Sequence, residues 1–189
     1  MSFAERILSA VWLGAVTLAF AASLGAPDAC VRVFLDNAGG SLAFGLSAFW
    51  AWRGWVQAAP GERPVHTGLL VFALLVALGQ MVWNLQVALD WNPFPAPADA
   101  FFLLGGPLLA ATIIRAAFTR LSRDRVYPAA LDFGGAVLAA VAFTLVIYLP
   151  AGGTRSLAVD AVLVLYPAGF LTAAGVPALA IPTVGVRVT

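Results

Sequence analysis

The sequence predicts an all-α integral membrane protein, a bundle of about six transmembrane helices with both termini in the cytoplasm. Three observations support this prediction. Of the 189 residues, 62% are hydrophobic and 10% are charged, whereas soluble domains have roughly 45–50% apolar and about 25% charged residues. The apolar residues form long segments with short gaps, and most arginines fall in alternate gaps. The composition excludes soluble globular, disordered, collagenous and nucleic-acid-binding proteins, because the polar surface is too small to cover the apolar residues.

Six segments approach the length of about 20 apolar residues that a helix needs to cross the hydrocarbon core. They are too long for the strands of a membrane barrel. The predicted spans cover residues 7–24, 38–55, 67–89, 98–118, 127–148 and 157–181. The gaps contain turn-forming glycine, proline, asparagine and aspartate residues. Since no gap is long enough to be a linker, residues 1–189 are predicted to form a single transmembrane domain.

The first three spans differ in how clearly the sequence marks them. Two interpretations of the first span stay open, a retained helix and a cleaved signal peptide, because the small residues Ala19 and Ala21 near its end are typical of a cleavage site. The second span is the weakest, since glycines lie near its start and Arg53 lies near its end. The third span contains no charged residue before its outer boundary.

The last three spans are bounded by turn residues or arginines. The fourth follows the proline-rich segment 92–97, and an arginine-rich gap separates it from the fifth. Glycines 152 and 153 precede the sixth. Pro107 in the fourth span and Pro167 in the sixth predict kinks, because proline removes a backbone donor from the helix.

The arginines predict the orientation, because cytoplasmic loops are enriched in basic residues. With the gap between spans four and five placed inside, eight of the ten basic residues are cytoplasmic and two, Arg32 and Arg155, are external. The cytoplasmic group is Arg6, Arg53, Arg63, Arg115, Arg120, Arg123, Arg125 and Arg187. We therefore expect a multi-pass membrane protein with both termini on the cytoplasmic side.

The residue inventory excludes several chemistries. Cys30 is the single cysteine and His66 the single histidine, so an intrachain disulfide is excluded and bis-histidine haem and zinc sites are not expected. All ten basic residues are arginine, which excludes a lysine Schiff base with retinal or pyridoxal phosphate. The sequence also lacks the nucleophile-elbow, phosphate-loop and zinc-protease motifs. We therefore expect no enzymatic activity and no cofactor.

Carboxylates near the ends of the spans allow two interpretations. Asp99 follows a proline-rich segment, so it is expected to cap the N–H groups of the fourth helix. Asp132 and Asp160 also lie in first turns and could do the same. The alternative is an outward-facing cavity lined by Asp90, Asp99 and Asp160, which would suit a cation or a polar ligand.

The third span has a polar face near its outer end. Gln80, Trp83, Asn84 and Val87 follow the helical spacing i, i+3, i+4, i+7. Polar side chains within a span need hydrogen-bond partners, so one interpretation is that they bind neighbouring helices. The alternative is the wall of an outward-facing ligand pocket, with contributions from the fourth and sixth spans. The predicted pocket residues are Gln80, Trp83, Asn84, Asp99, Phe102 and Tyr166.

One stretch resembles a known family. It consists of Trp83-Asn84, a short loop, the segment 94–104 that reads FPAPADAFFLL, and Pro107-Leu108. These residues resemble a signature of the multi-span sensor regions that precede bacterial diguanylate cyclase domains (GGDEF proteins, often with PAS or EAL domains). Leu131-Asp132 and Leu165-Tyr166-Pro167 are similar to two further segments of that family.

The resemblance implies a membrane input module for cyclic-di-GMP signalling, which senses a ligand or lipid at the outer face or in the bilayer. In the family, further spans and a soluble output domain follow, whereas this sequence ends at Thr189 without one, so we expect a truncated form. Ala168-Gly169 also replaces the Gly-Asp of the family after Tyr-Pro. Two alternatives stay open, a small transporter and an accessory subunit of a larger membrane complex. A homodimer is equally compatible with the sequence.

Overall fold

The computed structural model describes residues 3–91, 93–119, 123–148, 159–160 and 162–165. In this part of the chain the regular structure is helical, without strands, which confirms the all-α prediction. The helices are α1 (Phe3–Gly25), α2 (Ala29–Gln57), α3 (Arg63–Ala88), α4 (Pro97–Phe118) and α5 (Arg123–Tyr148). They overlap the first five predicted spans, with α2 beginning earlier than predicted, whereas the predicted span 157–181 lies largely outside the described residues.

Within the described residues, three helical segments are long and apolar enough to cross a membrane. They are Ala4–Gly25, Arg63–Ala88 and Pro97–Ala116. Within α5, Val137–Val146 is a shorter apolar segment. Large apolar side chains on these helices are exposed, for example Leu18 (71% exposed) and Met81 (66% exposed). Such exposure is expected where lipid rather than water surrounds a helix, because acyl chains are as apolar as these side chains.

Helices α1 to α4 pack antiparallel in chain order. The α1–α2 contact is marked by the Trp12 indole, which donates to the carbonyl of Leu42 at 2.8 Å. It is also marked by an ion pair between Glu5 and Arg53, at the start of α1 and the end of α2. Helix α2 in turn packs against α3, and α3 against α4. Helix α2 therefore lies between α1 and α3.

Helix α2 begins at Ala29, well before residue 38, where the second span was predicted to begin. Asp28 is its N-cap, and one carboxylate oxygen accepts from the N–H groups of Cys30 at 2.7 Å and Val31 at 3.1 Å. These bonds satisfy two of the free donors at a helix start. The helix has 29 residues, which at a rise of 1.5 Å per residue gives about 43 Å. It is long enough to cross a bilayer, although its polar residues lower its mean hydropathy.

Glycines allow α3 and α4 to approach closely. A Cβ atom at Gly68 would overlap the hydroxyl of Thr112 and would lie 3.0 Å from the Thr112 Cβ. A Cβ atom at Gly79 would lie 3.1 Å from the ring of Phe102. Small residues at such positions are typical of membrane helix interfaces, because they let dispersion contacts form across the whole interface.

Helix α3 ends in a Schellman motif that places Asp90 in the left-handed region. The N–H of Trp91 donates to the carbonyl of Gln86 at 2.9 Å, and the N–H of Asp90 donates to that of Val87 at 3.2 Å. Asp90 has φ 50°, a conformation in which glycine is the usual residue. A carboxylate side chain at this position is therefore kept at some cost in backbone energy.

Replacing Asp90 by glycine should therefore not destabilise the fold. We expect Asp90→Gly to raise the free energy of unfolding by up to about 1 kcal/mol, because glycine adopts positive φ without steric cost. SDS-induced unfolding in mixed micelles, followed by circular dichroism, measures the difference. A loss of more than about 1 kcal/mol would show that the carboxylate stabilises the turn through contacts of its own.

Candidate functional site

Five polar side chains join α2 to α3 in what we call the α2–α3 polar cluster. The Asn84 amide donates to the hydroxyl of Ser41 at 2.7 Å, and the Gln80 amide donates to the Asn84 oxygen at 2.9 Å. The Trp83 indole donates to the side-chain oxygen of Asn37 at 3.0 Å. Ser41 in turn donates to the backbone carbonyl of Asn37 at 2.8 Å. The cluster is a continuous hydrogen-bond network between two neighbouring helices.

Two i, i+4 pairs create the cluster. Asn37 and Ser41 lie one turn apart on α2, and Gln80 and Asn84 lie one turn apart on α3, so each pair faces the other helix. Gly40 lets α3 come close, because a Cβ atom there would lie 3.1 Å from the Gln80 oxygen. The interpretation that polar groups of this face bind a neighbouring helix is confirmed for Asn84, which bonds to Ser41 of α2, whereas Gln80 bonds to Asn84 of its own helix. The role of Gln80, Trp83 and Asn84 in ligand binding stays a prediction.

Beside the cluster, the N-terminal part of α2 and the C-terminal part of α3 line a groove of about 640 Å³. We call it the α2–α3 groove. Binding sites for small ligands have volumes of about 300–1,000 Å³ and are mostly apolar. Most of this groove is lined by aliphatic side chains, Phe34 and Cys30, with three residues of the polar cluster among them. The lining residues are Ala29, Cys30, Val33, Phe34, Asn37, Ala38, Ser41, Asn84, Val87, Ala88 and Asp90.

Asp90 is the one charged residue that lines this groove. It lies at the end of α3, whereas Asn84 lies one and a half turns earlier, about 9 Å along the axis. The groove therefore has a carboxylate at its mouth, apolar walls, and amide and hydroxyl groups farther along. Arginine is scarce at this end of the helices, since Arg6, Arg53, Arg63 and Arg115 all lie towards the opposite ends.

Of the predicted pocket residues, Asn84 lines the groove, whereas Gln80 and Trp83 belong to the polar cluster but do not line it. Phe102 packs against Phe44 of α2, with ring centroids 6.1 Å apart, in the packed region between α2, α3 and α4. Asp99 lies in the first turn of α4. Neither residue lines the α2–α3 groove. Tyr166 lies outside the described residues. The structure thus brings together Gln80, Trp83 and Asn84, the members that the third span contributes.

Asp99 caps α4, although not through the donors that the sequence predicted. Its carboxylate accepts from the N–H of Ala96 at 2.7 Å, and its own N–H donates to the carbonyl of Ala96 at 2.9 Å. This is the backward half of a capping box, in which the third residue of a helix reaches the N–H of the N-cap. Asp99 was expected to cap N–H groups of the fourth helix, and the N–H that it binds instead belongs to the residue before the helix.

Gln86 is a buried polar residue that sequence reasoning missed. Its side chain is 1% exposed, and its oxygen accepts from the N–H of Ala98 at 3.3 Å. Its amide nitrogen has no partner among the described residues. Gln86 therefore joins the end of α3 to the start of α4, and its spacing of six residues from Gln80 puts it on another face of α3.

The described residues contain no group of three or more histidine, cysteine, aspartate or glutamate side chains placed to hold a metal ion. Cys30 is an exposed free thiol. No family model, no curated protein and no solved structure matches this chain. The likeness to sensor regions of diguanylate cyclases therefore depends on the residues quoted from the sequence alone.

Proposed function

We propose that this chain is a non-enzymatic sensory module of the bacterial inner membrane, which binds its signal in the α2–α3 groove. The observation that carries the proposal is the position of the groove against the polar cluster. Ser41 and Asn84 both line the groove and bond to each other across the two helices. A ligand that engages these groups competes with the bond between α2 and α3.

Helix α2 connects the groove with the opposite end of the bundle. Near its C-terminus, Arg53 pairs with Glu5 of α1, and the Trp55 indole donates to the hydroxyl of Thr67 on α3 at 3.1 Å. A shift of α2 at the groove therefore changes its contacts with α1 and α3 about 30 Å away. In the proposed topology that end is cytoplasmic, where an output domain or a partner protein reads the signal.

The proposed topology extends the described helices to a bundle of six spans with both termini inside. Antiparallel packing of α1 to α4 supports it, because α2 then crosses the membrane between two apolar helices. Three polar residues of α2, Asn37, Ser41 and Arg53, bond to neighbouring helices, which lowers the cost of having them within a span. The distribution of arginines supports a groove that opens outside the cytoplasm.

A groove-filling group on Cys30 tests the sensory proposal. Cys30 lines the groove and is exposed, so alkylation with N-benzylmaleimide places a bulky group there. Hydrogen–deuterium exchange is then measured in lipid nanodiscs, with N-methylmaleimide as the small control. The proposal predicts altered exchange at residues 50–57 and 4–9, which form the opposite end. Altered exchange confined to residues 29–41 and 80–91 would mean that the helices only pack together.

A further inference from the structure

We propose that the α2–α3 groove selects an amphipathic monovalent cation, a primary or quaternary ammonium group on an alkyl chain. This inference rests on the proposed function, since it names the chemical class of the ligand for the same groove. It follows from three properties of the lining: one carboxylate at the mouth, apolar walls, and uncharged polar groups farther along.

Charge complementarity indicates the sign of the charge on the ligand. Asp90 is the one ionisable acid or base, besides the Cys30 thiol, among the residues that line the groove. Arg32 and Asp36 of the same end lie instead beside Phe20 and Ser23 of α1, in a separate small pocket. A cation at the groove mouth therefore meets one negative charge and no lining arginine. An anion there would meet repulsion with no compensating group.

The walls give the shape of the ligand. Val33, Phe34, Ala38 and Val87 lie along the groove between its mouth and the polar cluster. They favour an apolar chain, because transfer of each methylene group from water to an apolar surface is favourable. A small hydrated cation such as Na⁺ would gain nothing from these walls. The ligand is thus an ammonium group with an apolar tail.

The Asp90 carboxylate is not needed to form the turn at the end of α3. Asp90 has φ 50° at the C′ position of α3, and glycine is the usual residue there. Removal of the carboxylate should therefore leave the fold intact. This separates the chemistry of the side chain from folding and makes two variants available, Asp90→Asn, which keeps the shape, and Asp90→Gly, which relieves the backbone.

Protection of Cys30 from alkylation measures occupancy. The protein is placed in phosphatidylcholine nanodiscs, and an uncharged polyethylene-glycol maleimide is the reagent, so that surface potential does not alter its concentration. The probes are decyltrimethylammonium below its micellar concentration, decanol as the neutral analogue, and decyl sulfate as the anionic one. A Gly25→Cys, Cys30→Ser variant is the control, because Gly25 is exposed at the same end but does not line the groove.

We expect decyltrimethylammonium to slow the labelling of Cys30 in a saturable way and to leave the labelling of the thiol at position 25 in the control variant unaffected. Decanol and decyl sulfate should bind at least tenfold more weakly. Asp90→Asn and Asp90→Gly should lower the affinity for the cation about tenfold, which is the effect of losing one close, partly screened charge pair. Asp36→Asn, which removes an exposed carboxylate of the same end, should change nothing.

Three results would overturn the inference, and they differ in what they leave standing. Equal protection by decanol, unchanged in Asp90→Asn, would mean a groove for neutral ligands and leave the sensory proposal intact. Stronger protection by decyl sulfate would reverse the sign of the ligand charge and also leave that proposal intact. Protection by none of the probes would mean that lipid chains fill the groove, whereas the sensory proposal itself fails only if the exchange at residues 50–57 does not respond to alkylated Cys30.

Discussion

Gly68→Leu is expected to destabilise the bundle by at least about 3 kcal/mol, because it inserts a side chain where α3 and α4 are in direct contact. Even the first carbon of that side chain would overlap the Thr112 hydroxyl and would lie 2.7 Å from the Thr112 methyl carbon. Thr112 has little room to move, since its side chain is 7% exposed and its hydroxyl already donates to the carbonyl of Leu108 at 2.7 Å.

Gly14→Leu is the matched control for this substitution. Gly14 lies within α1, and a Cβ atom there would meet nothing within 4 Å. The same change should therefore be close to neutral, or stabilise α1 through its higher helix propensity. SDS-induced unfolding of both purified variants measures the difference. Equal stability of the two would contradict the described packing of α3 on α4.

Asn84→Leu is expected to lower the free energy of unfolding by about 2 kcal/mol. Hydrogen bonds between membrane helices contribute about 0.6 kcal/mol on average and up to about 1.7 kcal/mol. Asn84 makes one such bond, to Ser41 of α2, and a second side-chain bond with Gln80 of its own helix. Leucine, which is of similar size, makes neither bond. The Gln80 amide then loses its acceptor and the Ser41 oxygen loses its donor, which costs more than the loss of the bonds alone.

A double-mutant cycle isolates the bond itself. Ser41→Ala, Asn84→Ala and the double variant should give a coupling energy of about 0.6–1.7 kcal/mol. Leu85→Ala is the control on the neighbouring position, because Leu85 is 58% exposed and faces away from α2. A coupling energy near zero would mean that the two side chains do not bond in the membrane.

The helix positions follow from the sequence because lipid-facing helices need long apolar segments. The third and fourth predicted spans, 67–89 and 98–118, differ from α3 and α4 by only a few residues at their ends. The polar face of Gln80, Trp83 and Asn84 was equally predictable from helical spacing, since 3.6 residues per turn place these positions on one side. Periodicity within one helix contains this information.

Periodicity within one helix does not indicate which other helix packs against a given face. The predicted pocket lay between the third, fourth and sixth spans, whereas the polar face of α3 bonds to α2. Asn37 was missed because the predicted second span began after it, and the N-cap Asp28 that extends the helix resembles an ordinary loop residue. The matching i, i+4 spacing of Asn37 and Ser41 was the signal that could have found the partner helix.

The proposed sensory module needs a groove that opens outside the cytoplasm, and the accessibility of Cys30 from that side measures this. Cys30 is the single cysteine, is exposed, and lines the groove. A membrane-impermeant maleimide is added to intact spheroplasts that express the protein. For comparison, a Gly61→Cys, Cys30→Ser variant carries its thiol in the exposed turn between α2 and α3, at the opposite end.

The account predicts that Cys30 is labelled in intact spheroplasts, whereas the thiol at position 61 is labelled only after the membrane is permeabilised. A charged maleimide does not cross the hydrocarbon core, so in intact spheroplasts it reaches only thiols that are exposed outside the cytoplasm. Labelling of position 61 in intact spheroplasts, with Cys30 protected until permeabilisation, would place the groove in the cytoplasm. Labelling of both positions from outside would mean that α2 does not cross the membrane, and either result contradicts the account.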